Sequence, residues 1–338
     1  MNMRDGITIA GNLIVDYVKQ IDTYPRPGML ANILELSRSV GGCATNTSIN
    51  LARIDPDIPI EVIGMVGEDE NGEYVLGKLK ADGIDTTHVA VNKELPTSFT
   101  DVMNAQDNGE RTFFHARGAN AHFGMGQIPV DQLQTRHFHI GYALLLDSLD
   151  AEDTTYGTAM AKVLHDAQQK GIKTSMDVVS ESGDRFQKIV RPALKYCDYL
   201  IINEIEASMV AGIEARKDGK LDKGQLQTIC TRLFELGVAE MVTIHAPEGA
   251  CTMEKRGDFF YEPSYALPKG WIQGTVGAGD AFCAGMLFSI YHGLDSTQAL
   301  KTAAAAAACN LSSPNSIDGM KNISEIRRLM AAWKQKQA

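Results

Sequence analysis

The 338-residue chain lacks any window of about 18 uninterrupted apolar residues, the length a membrane-spanning helix needs. Residues 1–10 lack a basic stretch followed by a long apolar one, so a cytoplasmic location is the expectation. No run of Lys or Arg offsets the formal net charge of −10, which argues against nucleic acid or an anionic membrane as the main partner. A phosphorylated ligand would therefore need locally placed donors. None of the six cysteines (Cys43, Cys197, Cys230, Cys251, Cys283, Cys309) forms a Cys-x-x-Cys pair. Most sit in apolar surroundings and read as buried thiols of a reducing compartment. There is no Gly-x-Ser-x-Gly elbow, which removes support for a serine hydrolase of that type. No internal repeat appears, and the alanine run at 303–308 reads as a tightly packed helix.

What remains, 44% apolar and 22% charged residues, is the composition of a globular chain. It suffices for one large α/β domain or two ordinary ones, with function carried by a pocket. The run Ile7-Thr8-Ile9-Ala10-Gly11-Asn12 predicts a buried strand ending in a turn. A polar, Pro-containing stretch follows to about Ser39, too long for a simple loop, with a partly exposed strand at 32–37 outside the main sheet. Gly41-Gly42-Cys43-Ala44-Thr45-Asn46 opens a helix whose first N–H groups are unpaired. A strand at 60–66 and a helix at 72–81 begin a βα rhythm. It is interrupted by a hairpin pattern, 99–103 and 111–115 around Asp107-Asn108-Gly109-Glu110. The rhythm resumes with strands at 137–146, 173–178, 199–202 and 239–244 and helices at 156–170 and 223–235. Right-handed βαβ connections then give a doubly wound, mainly parallel sheet whose crevice lies beyond the carboxyl ends of its strands.

The segment richest in chemistry is Gly274-Thr275-Val276-Gly277-Ala278-Gly279-Asp280-Ala281-Phe282, followed by an apolar helix at 283–290. Small residues let successive backbone N–H groups approach an anion, and the helix adds the positive end of its dipole. Asp280, in the first helical turn, is placed to take a proton from an attacking hydroxyl. The same residue types also make an ordinary capped helix start, and the loop alone leaves both readings open. Neither a Walker A nor a Gly-x-Gly-x-x-Gly pattern describes the loop, because the Lys-Ser/Thr ending is missing and Phe282 holds the last Gly position.

This loop resembles the carboxy-terminal signature of the ribokinase-like, or phosphofructokinase-B, family of carbohydrate kinases, usually Asp-Thr-x-Gly-Ala-Gly-Asp. Gly41-Gly42 with Asn46 is similar to the family's amino-terminal signature, and Gly11-Asn12 with Asp16 to its sugar-binding start. Asn203-Glu204-Ile205-Glu206 matches its Asn-x-x-Glu motif, and Arg117-Gly118-Ala119-Asn120 the end of its lid segment. These matches lie in family order across nearly the whole chain.

The resemblance implies a single ribokinase-like domain over 1–338 with a β-strand lid formed by insertions at about 16–39 and 97–120. It implies transfer of a phosphoryl group from ATP to a hydroxyl, with Asp280 as base and Gly277, Ala278 and Gly279 as the anion cradle. Asp16, Gly41, Gly42, Asn46 and Asn120 would bind a sugar or sugar-like acceptor; a phosphosugar would need Arg117 or, next, Arg111. Asn203, Thr243, Gly249, Thr275, Gly277, Gly279 and Asn310 would face the nucleotide. Ala306 and Ser313 fall in the elements that flank the adenine in the family, although Ala306 suits core packing equally. Asn203 and Glu206 would organise Mg²⁺ through water. His245 stands where a Gly is common. Gly274 replaces the Asp that helps hold a monovalent cation, so weak or absent stimulation by K⁺ is expected. A homodimer through the lid is implied as well.

His137 and His139 have metal-like spacing on a strand without a carboxylate nearby in sequence, and His115 and His122 flank the Gly-Ala-Asn segment. Two other functions fit the same motifs: a nucleoside kinase of this fold, and a non-catalytic sugar or nucleotide sensor.

Overall fold

The computed structural model describes residues 4–107, 110–181 and 183–336. Its centre is a nine-stranded sheet in the spatial order Phe259–Pro263, Gly249–Glu254, Met241–Ala246, Tyr199–Asn203, Lys173–Val178, His137–Ala143, Ile7–Gly11, Ile60–Gly67 and Val89–Asn92. The seven strands from Met241–Ala246 to Val89–Asn92 run parallel, and the other two add antiparallel at one edge.

The central strands are apolar on both faces because helices cover both. Ile7 and Ile9 point into one core with Val62 and Val66, while Ala10 points into the other with Ile63 and Met65. Helices Cys43–Ile54, Ala278–Tyr291 and Ser296–Asn310 close the first core. Ala159–Gln169, Phe186–Leu194, Glu204–Ala211 and Lys223–Glu235 close the second. This is the doubly wound, mainly parallel arrangement expected from the sequence.

A separate four-stranded sheet, in the order Ile33–Gly41, Ile14–Ile21, Phe99–Ala105, Arg111–Ala116, adjoins the first core through Val15, Val40, Tyr17 and Phe99. Ile14–Ile21 and Phe99–Ala105 are parallel; the outer pairs are antiparallel. Of the hairpin turn anticipated at 107–110, residues 108 and 109 lie outside the described residues.

Several boundaries differ from the sequence reading. The polar stretch after residue 12 contains the eight-residue strand Ile14–Ile21, whose residues 17–20 are only half-buried, which explains its polar composition. The strand expected over 137–146 ends at Ala143, where Leu144 takes a left-handed φ of 79° and turns the chain. The helix expected over 156–170 starts at Ala159, because Thr158 caps it by accepting from the Ala161 N–H. The helix placed at 283–290 is longer, Ala278–Tyr291, and so includes Asp280 in its first turn. All six cysteines are free and buried, as their surroundings suggested.

Candidate functional site

The strands' carboxyl ends bring Asn12, Asp177 and Asn203 to one edge of the sheet, and helix Ala278–Tyr291 delivers Asp280 above them. Asp280 is buried and makes two short contacts. Its Oδ1 accepts from the Tyr142 hydroxyl at 2.6 Å, and its Oδ2 accepts from Asn46 Nδ2 at 2.8 Å. Burial pushes the Asp280 carboxyl up to about 6, against the downward pull of those two donors.

Asn46 lies in the second turn of helix Cys43–Ile54, whose cap is Gly42. The Ser316 hydroxyl, 2.8 Å from Asn46 Oδ1, fixes which way its amide faces. Asp16, on the lid strand Ile14–Ile21, is buried too. Burial raises its carboxyl to about 7; a Thr100 hydrogen bond lowers it, and the charge of Asp280 raises it further. Gly41 leaves the room this carboxylate occupies, since a Cβ there would lie 2.3 Å from Asp16 Oδ2. The charge of Asp280 is felt at Asp16, the first carboxylate coming from the body and the second from the lid.

A second acidic pair lies further along the edge. Asn203 caps helix Glu204–Ala211, accepting from the N–H groups of Ile205 and Glu206 at 2.9 Å each. Glu206 returns the bond by accepting from the Asn203 N–H at 2.9 Å, so the Asn-x-x-Glu motif is a capping box. Glu206 Oε1 also accepts from Ser180 Oγ and Asn203 Nδ2, each at 2.7 Å. Burial raises Glu206 to about 7 and pushes Asp177 well above the carboxylate range, the latter helped by the charges of Glu206 and Asp280. The Glu206 carboxylate beside the Asn203 amide offers hard oxygen donors that fit a hydrated Mg²⁺ without demanding a full protein cage. Because Glu206 already accepts from three neighbouring donors, such an ion would be held through water.

The remaining candidates divide into those near the anion loop and those engaged elsewhere. Thr275 Oγ1 accepts from Arg111 Nη1 at 3.3 Å, so a lid arginine reaches the loop. Asn310 donates to the Val276 carbonyl at 2.9 Å and holds the loop from below, with its own Oδ1 buried and unpaired. Gly277 caps the helix, and Ala278 and Gly279 form its first two positions. The His245 ring packs on Phe282, 4.8 Å between centroids, beside that turn.

Arg117, by contrast, pairs with Asp147 at 2.9 Å. Asn120 spends its amide on Leu13, accepting from its N–H at 3.3 Å and donating to its carbonyl at 3.1 Å. Thr243 faces Thr252 across the sheet at 3.0 Å, and Gly249 starts the adjoining antiparallel strand. Ala306 is core, and Ser313 is buried beside Gly274. His115 Nδ1 lies 3.0 Å from Thr100 Oγ1, and burial lowers its pKa. His122 closes the short turn Gly118–His122. The expectation that His139 has no carboxylate near it is corrected: Asp177, from the neighbouring strand, lies beside it.

Tyr142, Thr100, Asp177 and Ser316 were not anticipated. Tyr142 meets Asp280 across 138 residues and Ser316 meets Asn46 across 270, so no local pattern links them. Only the position of Tyr142 and Asp177 near the carboxyl ends of predicted strands offered a signal.

The chain matches the pfkB family carbohydrate kinase over residues 7–323. Among characterised proteins, the 5-dehydro-2-deoxygluconokinase of Bacillus licheniformis is 24% identical over 319 residues, 91% of each chain. That of Bacillus subtilis is 24% identical over 322 residues, again 91% of each. Among solved structures, the 2-dehydro-3-deoxygluconokinase of Thermotoga maritima aligns with a TM-score of 0.81 at 18% identity, covering 97% of this chain and 99% of that one. Arabidopsis thaliana ribokinase complexed with ribose and ATP aligns at 0.78 and 20% identity, also covering 97% and 99%. At such identities the structural likeness establishes the fold.

Proposed function

Because this chain belongs to the pfkB family of carbohydrate kinases and is a phosphotransferase with an alcohol acceptor, we propose that it moves the γ-phosphoryl group of ATP directly onto a hydroxyl of a sugar or sugar acid, with Asp280 as the base. The observation that carries this reading is the Asp16–Asp280 pair. One carboxylate comes from the lid, where two hydroxyl hydrogen bonds can be accepted. The other sits at a helix N-terminus, where an attacking oxygen and a phosphoryl group meet.

In the proposed reaction Asp280 takes the acceptor's proton as the oxygen attacks phosphorus in line. The N–H groups of residues 277–279 receive the charge that develops on the phosphoryl oxygens. Burial helps Asp280 as a base by raising its proton affinity, while Tyr142 and Asn46 keep it ionised near neutral pH. Glu206 and Asn203 would hold Mg²⁺ through water, and the ion would neutralise charge on the triphosphate. Asp16, Gly41, Gly42 and Asn46 form the acceptor side, with Asn120 holding the Leu13 backbone; Gly249, Thr275 and Asn310 belong to the nucleotide side, with Thr243 paired to Thr252. Closing of the lid excludes water and limits ATP hydrolysis.

Relatives named for 5-dehydro-2-deoxygluconate and 2-dehydro-3-deoxygluconate favour a deoxy-oxo sugar acid as acceptor. Its carboxylate calls for a cation on the lid, and Arg111 and Arg117 are the candidates. The exposed apolar residues of the lid, Ile33, Leu34, Leu36, Phe113 and Phe114, support a homodimer through that sheet. No helix among the described residues is long and apolar enough to cross a membrane, and the proposed place of action is the cytoplasm.

An ADP-release screen over both sugar acids, ribose, fructose, phosphosugars, adenosine and inosine tests the proposal. Turnover with a sugar or sugar acid is expected. Turnover with nucleosides alone would decide for the nucleoside kinase, and ligand binding without ADP release for the sensor.

A further inference from the structure

Beneath Asp280, four buried side chains that the proposed transfer does not use converge from four elements. Cys43 is the first residue of helix Cys43–Ile54, and Cys283 follows Asp280 by one turn on helix Ala278–Tyr291. His139 lies mid-strand in His137–Ala143, and Asp177 stands near the end of the adjacent strand Lys173–Val178. His139 Nε2 is 3.6 Å from Cys43 Sγ and 3.6 Å from Cys283 Sγ. One donor atom each of Cys43, His139 and Asp177 lies within 4.8 Å of the others.

Those spacings match a particular coordination chemistry. Zinc bonds of about 2.3 Å to sulfur and about 2.05 Å to nitrogen at a tetrahedral angle put the two donor atoms about 3.6 Å apart. Both Cys–His separations have that value. The mutually close donors are Cys43, His139 and Asp177, with Cys283 reaching the set through His139; thiols and an imidazole are donors that select zinc over Mg²⁺.

The surroundings also prepare the imidazole. His139 Nδ1 is 2.8 Å from Ser175 Oγ, which is itself 2.7 Å from His137 Nε2. When Nδ1–H donates to that hydroxyl, Nε2 turns its lone pair to the two sulfurs, the outer-shell arrangement typical of metal-bound histidine.

We propose that Cys43, His139, Asp177 and Cys283 form a structural site for a thiophilic divalent cation of the zinc type, tying the two helices that carry Asn46 and Asp280 to the central sheet. Binding replaces the two S–H bonds and the carboxyl O–H bond by bonds to the metal and releases those protons to solvent, while His139 contributes its lone pair. All four donors are buried, so the ion enters as the chain folds.

The test is to express the full chain in zinc-supplemented medium, purify it without chelator, and measure bound metal by native and elemental mass spectrometry. One zinc per chain is expected, and it is lost in the double variant Cys43→Ser/Cys283→Ser. Protein grown with cobalt should show the visible bands of a tetrahedral centre and a thiolate charge-transfer band. Ser175→Ala should weaken cobalt retention against a competing chelator by about 10- to 100-fold. Metal-free wild type, zinc content unchanged in the double variant, or a Cys43–Cys283 disulfide in a non-reducing peptide map would each overturn the site. If the double variant fails to fold, the wild-type cobalt spectrum decides alone, and octahedral bands without charge transfer count against the proposal.

Discussion

The Tyr142 hydroxyl donates to Oδ1 of Asp280 across 2.6 Å, and so joins the end of a sheet strand to the first turn of the helix beyond the anion loop. Because this bond favours the ionised carboxylate, its loss raises the proton affinity of Asp280 above a value already lifted to about 6 by burial. In Tyr142→Phe the acidic limb of the kcat–pH profile should move to higher pH, with activity near pH 9 little changed. An unmoved limb would remove Tyr142 from the account.

Asp280→Asn tests the base itself. The amide can still accept from Tyr142, so the fold should persist, while kcat drops by about 10²- to 10⁴-fold, the usual worth of a positioned base. Circular dichroism and steady-state kinetics measured together separate the two effects. Near wild-type turnover would exclude the assignment.

Asp16 offers a trade between stability and function. Its folded-state pKa is raised to about 7 from the ordinary 3.8, so the native protein holds this proton more tightly than the unfolded chain does. Stability from this group is therefore full below about pH 4 and is lost as pH rises through about 7. Asp16→Asn escapes that loss. Its melting temperature should equal wild type near pH 4 and exceed it at pH 8, by an amount on the order of a few kcal/mol in unfolding free energy. The same change should raise KM for the acceptor. A pH-independent difference in melting would refute the argument.

K⁺ should stimulate kcat weakly or not at all, measured against tetramethylammonium. Restoring an acidic side chain is blocked by packing: a Cβ on Gly274 would lie 2.8 Å from the Ser313 carbonyl oxygen and from the Pro314 Cα. Gly274→Asp should thus lower the melting temperature without creating K⁺ dependence. A many-fold rise with K⁺ in the wild type would contradict this.

The lid's apolar face gives a prediction for mass in solution. Leu36 and Phe114 lie on the outer strands of the lid sheet, the strand register puts both on one face, and both side chains are exposed. The double change Leu36→Glu/Phe114→Glu should convert a dimer into a monomer by sedimentation velocity. A wild type that stays monomeric at every concentration would exclude the dimer.

The sequence carried the loop around Asp280 and the Asn203–Glu206 motif because each is contiguous, and a short run of residues fixes both the turn and the helix cap. It also carried the alternation of buried strands and helices. It did not carry Tyr142 or Ser316, which act on Asp280 and Asn46 only after the sheet has closed. Nor did it carry the strand Ile14–Ile21, since a half-buried lid strand needs little of the apolar periodicity that marks a core strand. Asn120 and Thr243 have the residue types of a binding site, yet their polar atoms are engaged with Leu13 and Thr252, a fact only tertiary contacts reveal.

The contact between Arg111 and Thr275 spans the lid and the anion loop, two parts that the proposed function gives to different ligands. A guanidinium in that position gives the two ligands a shared free-energy term. Whatever factor ATP contributes to acceptor affinity, the acceptor must return to ATP in equal measure. Under the proposed assignment the bridge predicts reciprocal synergy between ATP and acceptor binding, and neutralising Arg111 should weaken that synergy equally in both directions.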